Sequence, residues 1–265
     1  MKSYVDKHIH CYEGEEAEKL LKEHNDDQWL IENVGRPIVP VERWNEAQHF
    51  EKTTWCDEPG AIYIKSMNDD HNKEYEEIFG GYEQLNFSLP NKPISMIELG
   101  CGPFTNLRII IPKIFKPLKD IDLLDPLIND YLTNTMNCKY KNGILNGFKV
   151  TLHPVPIEQF NITKKYQLVV MLNVLPHCYD TNLIFQKIDE MLDNDGIFIF
   201  HEKFLPQDKI NEVIDHYDSG HPLELTYNYV NEILKKQFKK TLFNKISIKE
   251  DEYDGRECVY KILKK

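Results

Sequence analysis

The stretch MIELGCGPFTN, residues 96–106, sets a carboxylate, Glu98, inside an apolar run and follows it at once with Gly100, Cys101 and Gly102. Glycines at that density let backbone come close to a ligand, and a helix that follows offers free N–H groups. The turn is therefore either a tight link between a strand and a helix or a cradle for a bound molecule. Glu98 is costly to bury unpaired, so it must face donors. A second acid, Asp125, closes the run KDIDLLDP. There it can accept hydrogen bonds from both hydroxyls of a ribose, or serve as a turn acid ahead of Pro126. Ile157 and Glu158, in VPIEQF, put backbone and a carboxylate where they can edge an adenine ring. Together these residues outline a nucleoside site.

Three histidines lie further along: His177 in NVLPHCYD, His201 beside Glu202 in FHEKF, and His221 in SGHPLELTY. Imidazole titrates near neutrality, the property a general base needs. Each has two readings, a base at a reacting centre or a loop histidine bonded to backbone. His177 is the preferred base, with Glu202 or Asp180 as the acid that orients it. A metal held by His177, His201 and Glu202 would need an acidic cluster that the sequence does not supply, and no metal is expected. The six cysteines are scattered without a CxxC pair, which reads as reduced thiols.

The elements that must position these residues follow from periodicity. From about residue 93, ISMIEL, KDIDLLDP, FKVTLHPV, YQLVVMLNVL and NDGIFIFHEKF read as five short strands. Helical stretches lie among them: FTNLRIIIPKIF, interrupted at Pro112, LINDYLTNTMNCKY and NLIFQKIDEML. Strands alternating with helices imply a parallel sheet with right-handed crossovers, a doubly wound α/β domain. After a helix in TYNYVNEILKKQF, two strand-like runs flank EYDG and close the domain with an antiparallel hairpin. Residues 1–90 are charged, aromatic and mostly helical in pattern; we expect them to form a cap, joined through LPNKP to a domain spanning 91–265.

IELGCGPFTN, IDLLDP, YQLVVMLNVLPHCYD and NDGIFIFHEKF, in this order, resemble the motifs of class I S-adenosylmethionine-dependent methyltransferases. The resemblance covers roughly residues 94–265 and implies a Rossmann-like, mostly parallel seven-stranded sheet with S-adenosyl-L-methionine as cofactor. It places Glu98 near the cofactor's amino-acid end, Gly100, Cys101 and Gly102 as the cradle, and Asp125 on the ribose. Ile157 and Glu158 fall on the adenine, and Asn173 on the contact after the fourth strand. Two departures stand out: the third glycine of the turn is Phe104, preceded by Pro103, and the acid often opening the fourth strand is Gln167. GCGPFT also lacks the third glycine of a dinucleotide fingerprint, which opposes a hydride-transfer enzyme.

A formal charge of −11 repels phosphate backbones and anionic lipid surfaces, so neither nucleic acid nor membrane is an expected partner. The charged beginning of the chain and the lack of a long apolar run predict a cytoplasmic location. In ERWNEAQHFEKTTW, Trp44, Ala47, Gln48 and Glu51 recur at helical spacing and read as packing. Trp55, Tyr63 and Tyr82 are candidates for closing over adenosine or acceptor. That phrase also resembles the N-terminal helix of methyltransferases associated with bacterial surface-polysaccharide modification. A cap over a concave site favours a small acceptor. The expected reaction is O-methylation of a small metabolite: a sugar, nucleotide-linked sugar or phosphorylated precursor of a surface glycan. The alternatives are N-methylation of a small amine, a protein or peptide acceptor, and a cofactor-binding partner subunit without turnover.

Overall fold

The computed structural model describes residues 34–56, 70–134, 138–206, 218–248 and 256–265, with residues 3–5, 11–13, 15, 16 and 19. Seven strands form one sheet: β1 (Ile94–Leu99), β2 (Leu118–Leu124), β3 (Thr151–His153), β4 (Tyr166–Leu172), β5 (Leu192–Phe204), β6 (Lys240–Ile248) and β7 (Glu257–Lys264). Their order is β6-β7-β5-β4-β1-β2-β3. The first five strands pair in parallel. β7 runs antiparallel between β5 and β6, which is the expected closing pair; the EYDG turn lies outside the described residues. The order reverses between β1 and β4, which opens a crevice at their carboxyl ends.

Burial explains the apolar runs. Every residue of β1 and of β4 is buried, as strands covered on both faces require. The helices given in full by the described residues are α1 (Val41–Cys56), α2 (Asp70–Ile78), α3 (Leu85–Ser88), α4 (Leu107–Ile110), α5 (Ile128–Asn134), α6 (Thr181–Met191) and α7 (Tyr227–Gln237). α4 gives way to a tighter turn, Ile111–Lys113, around Pro112, whose missing N–H cannot continue the ladder. Asp180 and Thr226 cap α6 and α7, accepting from Leu183 N and Tyr229 N.

The third strand departs from expectation. Phe148–Lys149 folds back on Ile144–Leu145, and only Thr151–His153 joins the sheet. Asn146 and Gly147 take positive φ in the intervening turn, a hairpin that takes up the first two residues of what read as one strand, FKVTLHPV.

The expected cap belongs to both cores. Gly35–Arg36 pairs with Glu224–Leu225, and Val39 N donates to Tyr179 O, stitching the chain ahead of α1 to two loops of the sheet domain. Val34, Val39 and Trp44 pack in the cluster under α6 and α7. Tyr75, Phe79, Tyr82, Leu85 and Leu89 pack on the opposite face with Met96, Ile199 and Ile262. Ser3–Val5 and Cys11–Glu13 form a separate antiparallel pair.

Candidate active site

The glycine turn leaves β1 with Gly100 at φ 64° and Gly102 at φ 54°, left-handed values that a side chain resists. A Cβ on Gly100 would stand 2.4 Å from Val174 Cγ1, so the turn packs straight against the loop after β4. A Cβ on Gly102 would meet no described atom within 4 Å; it would project into open space. Cys101 is buried in the same bend, its thiol pushed up by burial, and it lines the larger of two adjoining cavities.

Glu98 does face donors, and they belong to the chain itself. Its carboxylate accepts from Thr105 Oγ1, Asn106 N at 2.9 Å, Asn106 Nδ2 at 2.8 Å and Leu107 N at 3.1 Å. It therefore closes the first turn of α4 and is not among the residues lining either cavity. Burial raises its pKa, and these hydrogen bonds pull it back only in part. Thr105 and Asn106, which it holds, line the larger cavity.

The smaller cavity, about 130 Å³, lies across the carboxyl ends of β1, β2 and β4 and is lined by Gly100, Gly102, Asp125, Ile157, Glu158 and Asn173 among others. Asp125 acts as a turn acid, Oδ2 accepting from Gly102 N at 3.0 Å and Oδ1 from Leu127 N at 2.9 Å, and it also lines the smaller cavity. Burial pushes it up to about 6 against those two N–H groups. Glu158 accepts from Tyr179 N at 2.7 Å and Asp180 N at 3.3 Å through Oε1. Its Oε2 is buried and has no hydrogen-bond partner among the described residues. Burial holds this acid at about 7. An acceptor sealed from water costs about 1–3 kcal/mol unless a donor reaches it. Asn173, at φ 60°, donates its N–H to His201 O at 2.9 Å and lines both cavities.

Helix α1 supplies the outer wall. Gln48, Glu51 and Trp55, read from spacing as packing or lid residues, line the smaller cavity, and Trp55 Nε1 donates to Glu51 Oε2 at 2.9 Å. The Trp55 ring meets Phe104 edge-on at 6.2 Å, so the residue replacing the third glycine forms part of the site wall. Tyr82 instead packs in the core against Phe79, and Tyr63 lies outside the described residues. Gln167, where an acid was expected, accepts from Ser95 N and donates to Asp193, tying β4 to its neighbours away from the cavities.

The histidines separate. His177 sits in the turn Leu175–His177 and lines both cavities. Its Nδ1 is 3.0 Å from Gly220 O; a carbonyl only accepts, so Nδ1 carries the proton and Nε2 presents a lone pair. Burial lowers its pKa, Glu51 opposing and His221 adding. The His177 carbonyl accepts from Trp44 Nε1 and Gln48 Nε2 at 3.0 and 3.1 Å, which fixes the turn beneath α1. The His221 ring lies 4.5 Å away, with Nδ1 2.8 Å from Asp218 Oδ2. Burial pulls His221 down, but the Asp218 hydrogen bond and charge outweigh it and leave the ring above its ordinary value.

His201 and Glu202 correct the sequence reading. His201 lies between Tyr260 and Tyr75, centroids at 4.3 and 4.9 Å, and is not among the residues lining either cavity. Glu202 accepts from Val174 N, Leu175 N and Lys203 N, so it holds the loop that carries His177 and does not touch the ring. Asp180 caps α6. The acid beside His177 is Glu51, 3.6 Å from Nδ1, and the one bonded to His221 is Asp218. Among the described residues, no group of three or more His, Cys, Asp or Glu side chains is placed to hold a metal ion. Sequence reasoning missed Glu51 and Asp218 in these roles. Asp218 was findable, three residues before His221 in DSGH; Glu51 was not, since nothing local ties it to a histidine so far along the chain.

No protein-family profile matches the chain, and no curated protein matches it in sequence. Solved structures do match its fold. The N-methyltransferase NodS from Bradyrhizobium japonicum WM9, solved with S-adenosyl-L-homocysteine, superposes with a TM-score of 0.55 at 15% identity, covering 83% of this chain and 98% of that one. The 1,6-didemethyltoxoflavin-N1-methyltransferase from Burkholderia thailandensis, with 1,6-didemethyltoxoflavin and S-adenosylhomocysteine bound, gives 0.57 at 9% identity over 87% and 94%. The chain has the fold of S-adenosylmethionine-dependent methyltransferases. A further protein of that kind, from Leishmania major, matches with a TM-score of 0.55 at 15% identity over 98% of this chain and 96% of its own. In this methyltransferase fold the glycine turn, Asp125 and Glu158 all stand at the carboxyl edge of the sheet, where open α/β sheets hold ligands.

Proposed function

We propose that the protein is an S-adenosylmethionine-dependent methyltransferase that O-methylates a small acceptor in the cytoplasm, with His177 as general base. The observation that carries this reading is one continuous crevice with two chemistries. Asp125 and Glu158 line one half, and His177, its Nδ1 held by Gly220 O, lines both halves. Bound there, the cofactor supplies a methyl group on a sulfonium, open to displacement by an oxygen or nitrogen lone pair.

The chain's own residues do the rest. Asp125 receives the ribose hydroxyls, and Glu158 Oε2 receives the adenine amino group. Gly100 and Gly102 let backbone approach, with Cys101 buried behind them. Trp55 and Gln48 of α1 cover the site and exclude water. His177, neutral because it is buried, takes the acceptor hydroxyl's proton on Nε2 as the oxygen attacks. Positioning the acceptor in line with the departing sulfur is the larger contribution. The larger cavity, about 370 Å³, suits an acceptor the size of a monosaccharide, which is why precursors of surface glycans head the list of substrates.

A second reading, N-methylation of a small amine, draws on Glu51, whose carboxylate lies where the two cavities meet and would hold an ammonium. Release of S-adenosylhomocysteine from S-adenosylmethionine, followed across sugars, sugar phosphates, nucleotide sugars and small amines, separates the two. The O-methyl reading expects turnover on a hydroxyl acceptor and a fall in kcat of about a hundredfold or more for His177→Ala. Turnover on amines alone, or an unchanged kcat in that variant at every pH, would overturn it.

A further inference from the structure

The larger cavity carries a charge arrangement that the methyl-transfer chemistry does not by itself require. Lys203, near the end of β5, and His221 both line it, alongside the base His177. Residues two apart on a strand share a face, so Lys203 follows His201 toward Tyr75 of α2, and Tyr75 lines the same cavity. The acids are arranged differently. Asp125 and Glu158 belong to the smaller, nucleoside half. Asp218 is engaged within its own loop, accepting from Gly220 N, His221 N and His221 Nδ1. Glu51, the one acid among the described residues that line the larger cavity, accepts from Trp55 Nε1 through Oε2 and has Oε1 3.6 Å from His177 Nδ1. Two nitrogen-bearing side chains, Lys203 and His221, thus line the acceptor side against that single acid, inside a protein whose net charge of −11 repels anions from its surface.

We infer that the acceptor carries an oxyanion, a phosphate monoester or a carboxylate, held by charge-assisted hydrogen bonds from Lys203 and His221 while His177 addresses a neighbouring hydroxyl. This rests on the methyltransferase reading above and narrows its acceptor to hydroxy compounds that bear an acidic group. Lys203 and His221 are then specificity-determining residues. They hold the end of the acceptor that does not react, and a neutral analogue of the same size loses their contribution.

The test uses the protein saturated with S-adenosylhomocysteine, so that the nucleoside half is filled. Calorimetric titration with inorganic phosphate, and separately with acetate, is carried out on wild type, Lys203→Met, Lys203→Arg and His221→Asn. Saturable binding of either anion by wild type is expected, weakened at least tenfold in Lys203→Met and in His221→Asn and retained in Lys203→Arg. Preference for phosphate assigns a phosphate monoester, and preference for acetate a carboxylate. Equal affinity for S-adenosylhomocysteine across the four proteins shows that the variants are folded. If wild type binds S-adenosylhomocysteine but neither anion saturably, or if Lys203→Met binds anions as tightly as wild type, the oxyanion site is refuted and the methyltransferase reading stands. If wild type does not bind S-adenosylhomocysteine at all, that reading falls and this inference with it.

Discussion

Four donors converge on the Glu98 carboxylate, and that convergence turns a buried charge into the clamp that shapes the glycine turn. Glu98→Gln keeps the volume but presents an amide to at least one N–H or hydroxyl that needs an acceptor. It should lower stability by about 3 kcal/mol in urea unfolding and loosen the residues from Thr105 to Leu107. Glu158 acts in the opposite sense. Its pKa of about 7 lies above the ordinary 4.5, so the folded chain binds its proton more readily than the unfolded one. That contribution to stability is fully present below about pH 4.5 and is lost as pH rises through 7, by about 3 kcal/mol. Unfolding midpoints measured from pH 4.5 to 8 should therefore show Glu158→Gln flattening the decline seen in the ligand-free wild type. An unchanged slope in the variant would mean that Glu158 is not the titrating group. At this scale the sequence was readable where one residue's type sets its own problem: an acid in an apolar strand needs donors. Which donors answer it was not readable, because Thr105 and Asn106 lie beyond a turn whose geometry no composition fixes.

The strands and helices were the most legible layer, since buried strands announce themselves as continuous apolar runs such as YQLVVML and capped helices by residues such as Asp180 and Thr226. The small hairpin over 144–149 was not legible, because FKVTLHPV carries strand propensity throughout and the fold-back depends on Asn146 and Gly147 in left-handed turn positions. Helix α1 shows a different limit. Spacing tells which side chains share a face, but not what the face meets. Ala47 packs, Trp44 both packs and lines the smaller cavity, and Gln48, Glu51 and Trp55 line it with Trp44. Trp44 joins the helix to the loop carrying His177 twice, through Nε1 to the His177 carbonyl and through an edge-on contact with Tyr179 at 5.3 Å. Trp44→Ala is expected to cost about 3–5 kcal/mol and to lower kcat, because the turn carrying His177 loses its anchor. Chemical denaturation and turnover assays on the same preparation check both; stability lost with kcat unchanged would detach α1 from the chemistry.

At the scale of the whole molecule, the strand order brings Gly100, Asp125, Glu158 and His177 together around the smaller cavity, where burial raises both acids against the N–H groups that they accept. A ligand that binds only the folded chain stabilises it by about 2.7 kcal/mol at a hundred times its dissociation constant, so cofactor and fold should report on each other. If the crevice at the ends of β1 and β2 binds S-adenosylmethionine through Asp125, calorimetric titration of wild type with S-adenosylmethionine will show one cofactor bound per chain, and Asp125→Ala will bind it at least tenfold more weakly. No saturable binding to wild type, or equal affinity in Asp125→Ala, would rule that out.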